Sequence, residues 1–401
     1  MGIIEKGLAG LPAYPSLLSD IKAGRTPGML TGLGHIHKAM LIHALRAALD
    51  RRVFVLVSDE AEGNRLCEDM KALGDEALFL PARELSLRRV ESTSRDYEQM
   101  RLGILARMAA GEGEIVVACV DAAASYTLPP DVLQGRTLRL KTGLALPVPD
   151  LAMALSAAGY ERCDQIEGPG QFSVRGGIVD VYAAQCSSPI RIELWGDIVD
   201  TLSYFDLLTQ RRTDAIAAAD IPPAAEILYD DAEALAGRIE ALVAPLRGKT
   251  AAIQRETLLA DADRLRGGGC PASLDKYIPL IYPRPATALD YAGDSLLLVS
   301  EGVKVRERLR TAQWQLQEDI KTLLEEGQLC RGLSDYMLDW SGLATLLEQR
   351  DTVFLEAFAR SSPDIKIHSL YNITARQLPV WSGGLELLCD DLRDMLHRNM
   401  A

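Results

Sequence analysis

The 401-residue sequence predicts an α/β protein: a parallel sheet sheathed by helices, with a small α+β unit inserted into it. Three observations carry that reading. Apolar runs without alternation, VFVLV at 53–57 and IVVACV at 115–120, fit strands buried on both faces. Segments of helical spacing at 60–73 and 94–110 separate such runs, and strands alternating with helices pair in parallel. From 147 the texture changes to three β-rich stretches with short Gly- and Pro-containing connections, which predict antiparallel pairing.

In chain order, residues 29–31 close an apolar stretch that runs straight into GLGHIHKA (32–39) and a helix-like segment to about 50. A strand at 51–59 and a helix at 60–73 follow. Then come a strand at 77–81, a helix at about 94–110 and a strand at 114–120. A short helix at about 150–158 opens the insert, whose strands lie in YERCDQI (160–166), FSVRGGIVDVYAA (172–184) and PIRIELWGDIVDTLSYFD (189–206). Helical periodicity returns at 224–246 and 305–327, with strands at 295–300 and 352–359 interleaved. The expected domains are 1–146 and 213–375 as two segments of one α/β domain, with the insert at 147–212. Residues 376–401 are expected to be a linker and the first helix of a truncated further domain, with Trp381 and Cys389 near the start of that helix.

Composition narrows the function classes. A hydrophobic fraction of 48% with 25% charged residues is that of a soluble globular chain with sizeable cores. No apolar run approaches the roughly 20 residues that span a bilayer, and MGIIEKGLAGLPAYPSLL lacks the layout of a secretory signal. Seven cysteines without a CxxC pair point to reduced thiols, hence a cytoplasmic protein with neither disulfides nor zinc. A net charge of −13 makes a poor surface for gripping nucleic acid, which is held mainly by Lys and Arg on phosphates. A protein partner is the better expectation.

GLGHIHKA has the strand–loop–helix setting of a phosphate cradle, with Gly32, Gly34 and Lys38 in plausible places. The details depart from a working P-loop. Ala39 stands where a magnesium-binding hydroxyl belongs, and His35 and His37 put bulk where small residues let backbone close on phosphate. The expectation is a degenerate, non-catalytic P-loop with no cofactor and no metal, the two histidines lacking a third ligand nearby. No GxSxG, HExxH or Walker-B-like acidic pair occurs, and Asp121 reads as a helix N-cap after its strand.

The insert carries the sharper signal. Side chains alternate along a strand, so Arg191, Glu193 and Trp195 share one face of PIRIELWGD and Ile190, Ile192 and Leu194 take the other. Arg and Trp are enriched in binding hot spots. Arg175 and Arg162 reach the same side if their strands are neighbours. The plainer alternative is a solvated strand face with a cross-strand ion pair.

The run GYERCDQIEGPGQFSVRGGIVDVY…PIRIELWGDIVDTLSYFDLLTQRR closely resembles the UvrB-homology region of the bacterial transcription-repair coupling factors. That resemblance implies a UvrB-like module whose first domain has lost its ATPase motifs and whose inserted domain binds the excision-repair protein UvrA. Carried over by position, the UvrA contacts fall on Arg175, Arg191 and Trp195, with Arg162 and Glu193 at positions that serve the related UvrB interface. Glu193 is expected to orient Arg191, and Trp195 to be the apolar anchor where the family more often has Phe. It further implies that RNA polymerase, DNA and an ATP-driven translocase are engaged by regions outside this chain. The competing function is a UvrB-like ATPase or helicase subunit. Against it, the stretch at 80–100 has one tyrosine and aromatics make up 5% of the chain, too few for a base-stacking hairpin.

Overall fold

The computed structural model describes residues 2–83, 85–88, 95–271, 273–358, 364–375 and 385–398. Trp381, Ser94 and the linker positions 376–384 lie outside the described residues.

The chain opens with helices α1 (Ile3–Ala9) and α2 (Ala13–Lys22). The first α/β segment follows: β1 (Gly28–Thr31), α3 (His35–Leu49), β2 (Val53–Val57), α4 (Glu60–Ala72), β3 (Ala77–Leu80), α5 (Asp96–Ala109) and β4 (Ile115–Cys119). Short helices α6 (Val120–Ala124) and α7 (Pro130–Arg136) lead to β5 (Leu138–Lys141) and α8 (Val148–Ala157). The insert's strands are β6 (Glu161–Arg162), β7 (Gln171–Arg175), β8 (Ile178–Val181), β9 (Ile190–Trp195), β10 (Ile198–Phe205) and β11 (Arg212–Ile216), after which β12 (Ala218–Ile221) returns beside β5. The chain then resumes with α9 (Ala232–Val243), α10 (Ala251–Arg266), α11 (Ile278–Ile281), β13 (Leu296–Ser300), α12 (Gly302–Glu325), α13 (Trp340–Gln349), β14 (Thr352–Glu356), β15 (Ser369–Asn372) and α14 (Leu385–His397).

The large sheet has the order β15-β1-β14-β13-β2-β4-β3, and every pairing in it is parallel. Its five inner strands are buried at every residue, which explains their unbroken apolar sequence. Alternation still divides the side chains between two cores. Phe54, Leu56, Leu297 and Val299 join α5, α9, α10, α12 and α13 on one face. Val53, Val55, Leu296 and Leu298 join α2, α3 and α4 on the other. Sequences on both sides of the insert thus build one sheet.

The insert is a six-stranded sheet of order β11-β10-β9-β8-β7-β6, antiparallel except at one edge. There β6 pairs with β7 in parallel, contrary to the expected all-antiparallel pairing. The chain crosses from β6 to the far end of β7 through 163–170, closing with Gly170 at φ +83°, so that both strands run the same way. One face packs on Leu151 and Leu155 of α8 through Phe172, Val179, Val181, Ile190, Ile192 and Leu202. That core also takes in Leu140, Ile221 and Ala224, outside 147–212. We propose that the folded unit runs from about 138 to 224.

Two close approaches hold the insert on the large domain. Gly103 of α5 lies against Ala184, where an added Cβ would meet the Ala184 carbonyl oxygen at 2.7 Å. Gln99, also on α5, donates from Nε2 to the Ala224 carbonyl at 2.7 Å.

Asp121 is not a helix N-cap: Cys119 holds that position on α6. Asp121 lies in the first turn, where its Oδ2 accepts from Arg308 Nε of α12 at 3.0 Å.

Candidate protein-docking site and the loop after the first strand

The open face of the inserted sheet is set by register. Hairpin β7–β8 turns at Gly176 and Gly177 and pairs Arg175 with Ile178 and Ser173 with Asp180. Asp180 then pairs with Arg191 on β9, and Arg191 with Ser203 on β10. Arg175, Asp180, Arg191, Glu193 and Trp195 therefore share one face.

Asp180 organises that face and was not among the residues singled out from sequence. It is 1% exposed and accepts from two arginines. Arg191 donates from Nε to Oδ1 at 2.7 Å and from Nη2 to Oδ2 at 2.9 Å; Arg175 donates from Nη2 to Oδ2 at 2.6 Å. A bidentate, charge-assisted fork of this kind fixes an arginine's direction as well as its charge. Arg191 also donates from Nη1 to the Gln210 carbonyl at 3.1 Å, and its guanidinium lies 4.4 Å from the centre of the Phe205 ring. The hydrogen bonds it donates to the Asp180 carboxylate raise the Arg191 guanidinium above its ordinary pKa.

Two expectations change accordingly. The Arg191 side chain is only 12% exposed, so it is chiefly an internal strut, whereas that of Arg175 is 48% exposed. Glu193 does not orient Arg191: it accepts from Thr201 Oγ1 at 3.0 Å and is ion-paired with Arg212. Its neighbour across the β9–β10 ladder is Thr201, which draws it away from Arg191.

Arg162 falls elsewhere. Its register partner is Phe172, a core-facing residue, and β6 is separated from β9 by two intervening strands. The sheet therefore does not bring Arg162 to the Arg175–Arg191 face.

Trp195 ends β9 and is 83% exposed, opposite Ile198, which is 50% exposed, across the hairpin. Leu208, in the loop after β10, is 94% exposed. An exposed Trp sharing a face with arginines anchored from beneath makes a pre-organised surface: little side-chain freedom remains for an anchored arginine to lose on docking.

The loop after β1 is closed by the protein itself. Gly32 has φ +90°, and an added Cβ there would lie 1.9 Å from the Ile373 carbonyl oxygen, so only glycine fits. Leu33 N–H donates to the Glu356 carbonyl, and Gly34 N–H to His37 Nδ1 at 3.2 Å. Lys38, 4% exposed, donates from Nζ to Ser300 Oγ at 2.8 Å and to Glu301 Oε1 at 2.7 Å. Among the described residues no group of three His, Cys, Asp or Glu side chains converges as a metal site would require. None of the described helices is long and apolar enough to cross a membrane.

Comparison with known proteins agrees with this architecture. Residues 138–227 match the family described as the UvrB interaction domain. The transcription-repair-coupling factor of Bacillus subtilis (strain 168) is 28% identical over 399 residues, an alignment covering 97% of this chain and 34% of that protein. The factor of Staphylococcus haemolyticus is 21% identical over 389 residues, and one from Staphylococcus epidermidis 22% over 381. Each alignment covers 92% of this chain and 32% of the relative. The chain spans about a third of the length of these curated relatives. Along nearly its whole length the chain is similar to the transcription-repair-coupling factors, and its inserted unit matches the UvrB interaction domain.

Proposed function

We propose that this chain is the non-catalytic adaptor module of a transcription-repair coupling factor, recruiting UvrA to RNA polymerase stalled at a lesion. The observation that carries the reading is the open face of the insert. Trp195 stands exposed on the same face as Arg175, with β8 between their strands, and Arg175 and Arg191 are both held in place by the buried Asp180. Arg175 supplies charge-assisted hydrogen bonds to acidic groups on UvrA, and Trp195 the apolar anchor. Arg191 shapes the face from below, and Arg162 lies outside the contact. RNA polymerase, DNA and the ATP-driven motor belong to regions beyond this chain, and the module works in the cytoplasm.

The competing reading, a UvrB-like ATPase, needs Lys38 and the surrounding N–H groups free for phosphate. Lys38 is already paired with Glu301 and the Gly34 N–H with His37. Titration of the chain with ATP and magnesium is expected to show no saturable binding; a saturable isotherm would revive the enzymatic reading. The docking reading itself is tested by the affinity for UvrA of the wild-type chain and of Trp195→Ala.

A further inference from the structure

The C-terminal edge of the parallel sheet is where open α/β folds hold their ligands. Here that edge is filled by the protein's own carboxylates. Glu301 directly follows β13, and its Oε1 accepts both from Lys38 Nζ and from the Ala357 N–H, the latter at 2.9 Å. Glu356, at the end of β14, accepts the Gly302 N–H at 2.7 Å, at the N-terminus of α12. Ser300, the other partner of Lys38, donates to Glu62 at 2.5 Å. The space left beside His35, Lys38, Glu62 and Ser300 is about 10 Å³, room for at most one water.

Glu301 sits at φ +56° and ψ +67°, a left-handed conformation that a non-glycine residue adopts only where its surroundings fix it. Its backbone N–H donates to the Leu355 carbonyl, and its carboxylate is held by the Ala357 N–H and by the buried Lys38. A charged ammonium shut inside a protein needs an anion, and in a nucleotide cradle the phosphate supplies it. Burial pushes the Glu301 carboxyl up, but the Lys38 hydrogen bond and charge outweigh this and hold its pKa below the ordinary value.

We propose that the Glu301 carboxylate is the resident anion of this cradle, taking the place of a phosphate beside Lys38 and closing the strand–loop–helix unit without a ligand. Lys38 and Glu301 then each satisfy the other's buried charge. Removing the carboxylate opens an anion site that the wild-type chain does not offer. The inference stands apart from UvrA docking and accounts for why the wild-type chain should ignore ATP.

The test follows thermal unfolding of the whole chain through a rising series of inorganic phosphate, with chloride adjusted to keep ionic strength constant. Glu301→Gly removes the carboxylate and relieves the left-handed backbone; Glu301→Gln keeps the shape and removes the charge. The wild-type midpoint should be indifferent to phosphate. Glu301→Gly should melt lower in chloride and climb with phosphate, because a ligand that binds only the folded state raises the midpoint. Lys38→Met combined with Glu301→Gly should lose that response. An equal response of wild type and Glu301→Gly overturns the proposal, as does a folded Glu301→Gly and Glu301→Gln pair with no response. So does failure of both to fold even in phosphate, since phosphate should replace the missing anion.

Discussion

Replacing Asp180 with alanine is expected to lower the stability of the inserted sheet by about 3–5 kcal/mol, the scale of a buried ion pair stripped of one partner. The Arg191 side chain, 12% exposed and fixed by two hydrogen bonds to Asp180, would be left with Gln210 and the Phe205 ring as its neighbours. Arg175 would lose the contact that directs it. Arg191→Ala should cost less, because Asp180 keeps its 2.6 Å bond to Arg175. Arg175→Ala should cost least, its side chain being about half exposed and its pair screened by solvent. Urea unfolding of the three variants checks the order. Equal midpoints for Asp180→Ala and Arg175→Ala would remove Asp180 from the centre of the face. A drop in UvrA binding by Asp180→Ala alone would not identify a contact residue, since Asp180 is 1% exposed.

Glu226→Ala is expected to be at least as damaging, in the large domain. Glu226 and Arg101 have side chains 1% exposed and are 3.0 Å apart. The Glu226 carboxylate also accepts from Thr127 Oγ1 at 2.5 Å, and its backbone N–H donates to Glu98 Oε1 at 3.0 Å. Arg101 reaches further, donating from Nη1 to the carbonyls of Ala122 at 2.8 Å and Pro81 at 3.2 Å. Deleting the carboxylate strands a guanidinium in the core, at about 3–5 kcal/mol. In a chain of this size that corresponds to a thermal midpoint lower by roughly 5 °C. Arg101→Met paired with Glu226→Leu should recover much of the loss, because no unpaired charge then remains. A double variant as unstable as Glu226→Ala would mean that the hydrogen bonds to Thr127, Ala122 and Pro81 matter more than the charge.

The parallel sheet was legible because buried strands have an apolar signature that needs no partner information. VFVLV and IVVACV announce themselves. Helix α10 did not. Its inward residues are Ala251, Gln254, Leu258, Asp261, Ala262 and Leu265, a regular helical spacing carried partly by Gln and Asp. Asp261 faces inward because Tyr277 Oη donates to it at 2.8 Å, a partner visible only in the fold. The spacing over 224–246 predicts helix throughout, yet the helix begins at Ala232, after Asp231 caps it. The edge strand β15 was too mixed to stand out, and the strand expected in YERCDQI is only the two residues of β6.

The open face of the insert was legible along one strand and obscure between strands. Alternation put Arg191, Glu193 and Trp195 together, whereas Arg175 joined them only on condition of strand pairing, and the β7–β8 hairpin that sets Arg175 and Asp180 on one face shows in the register. The missing step was the pairing of β8 with β9, because the connection at 182–189 follows no simple turn rule. Without it, Glu193 was the nearest carboxylate in sequence and was assigned to Arg191 in place of Asp180. The partner of Lys38 was hidden for a related reason: Glu301 lies 263 residues away and meets it only when β13 inserts between β14 and β2.

The central claim is that UvrA docks on the exposed part of the insert's open face, and calorimetric titration of the chain against UvrA tests it most directly. The comparison is between wild type and an Arg175→Ala/Trp195→Ala double variant, each with its thermal midpoint measured alongside. Both side chains are exposed enough to be removed without opening the core. The account predicts saturable binding by the wild-type chain and a loss on the order of 2–4 kcal/mol in the double variant, with little change in midpoint. A double variant that binds UvrA as tightly as wild type, or a wild-type chain that does not bind at all, would contradict it.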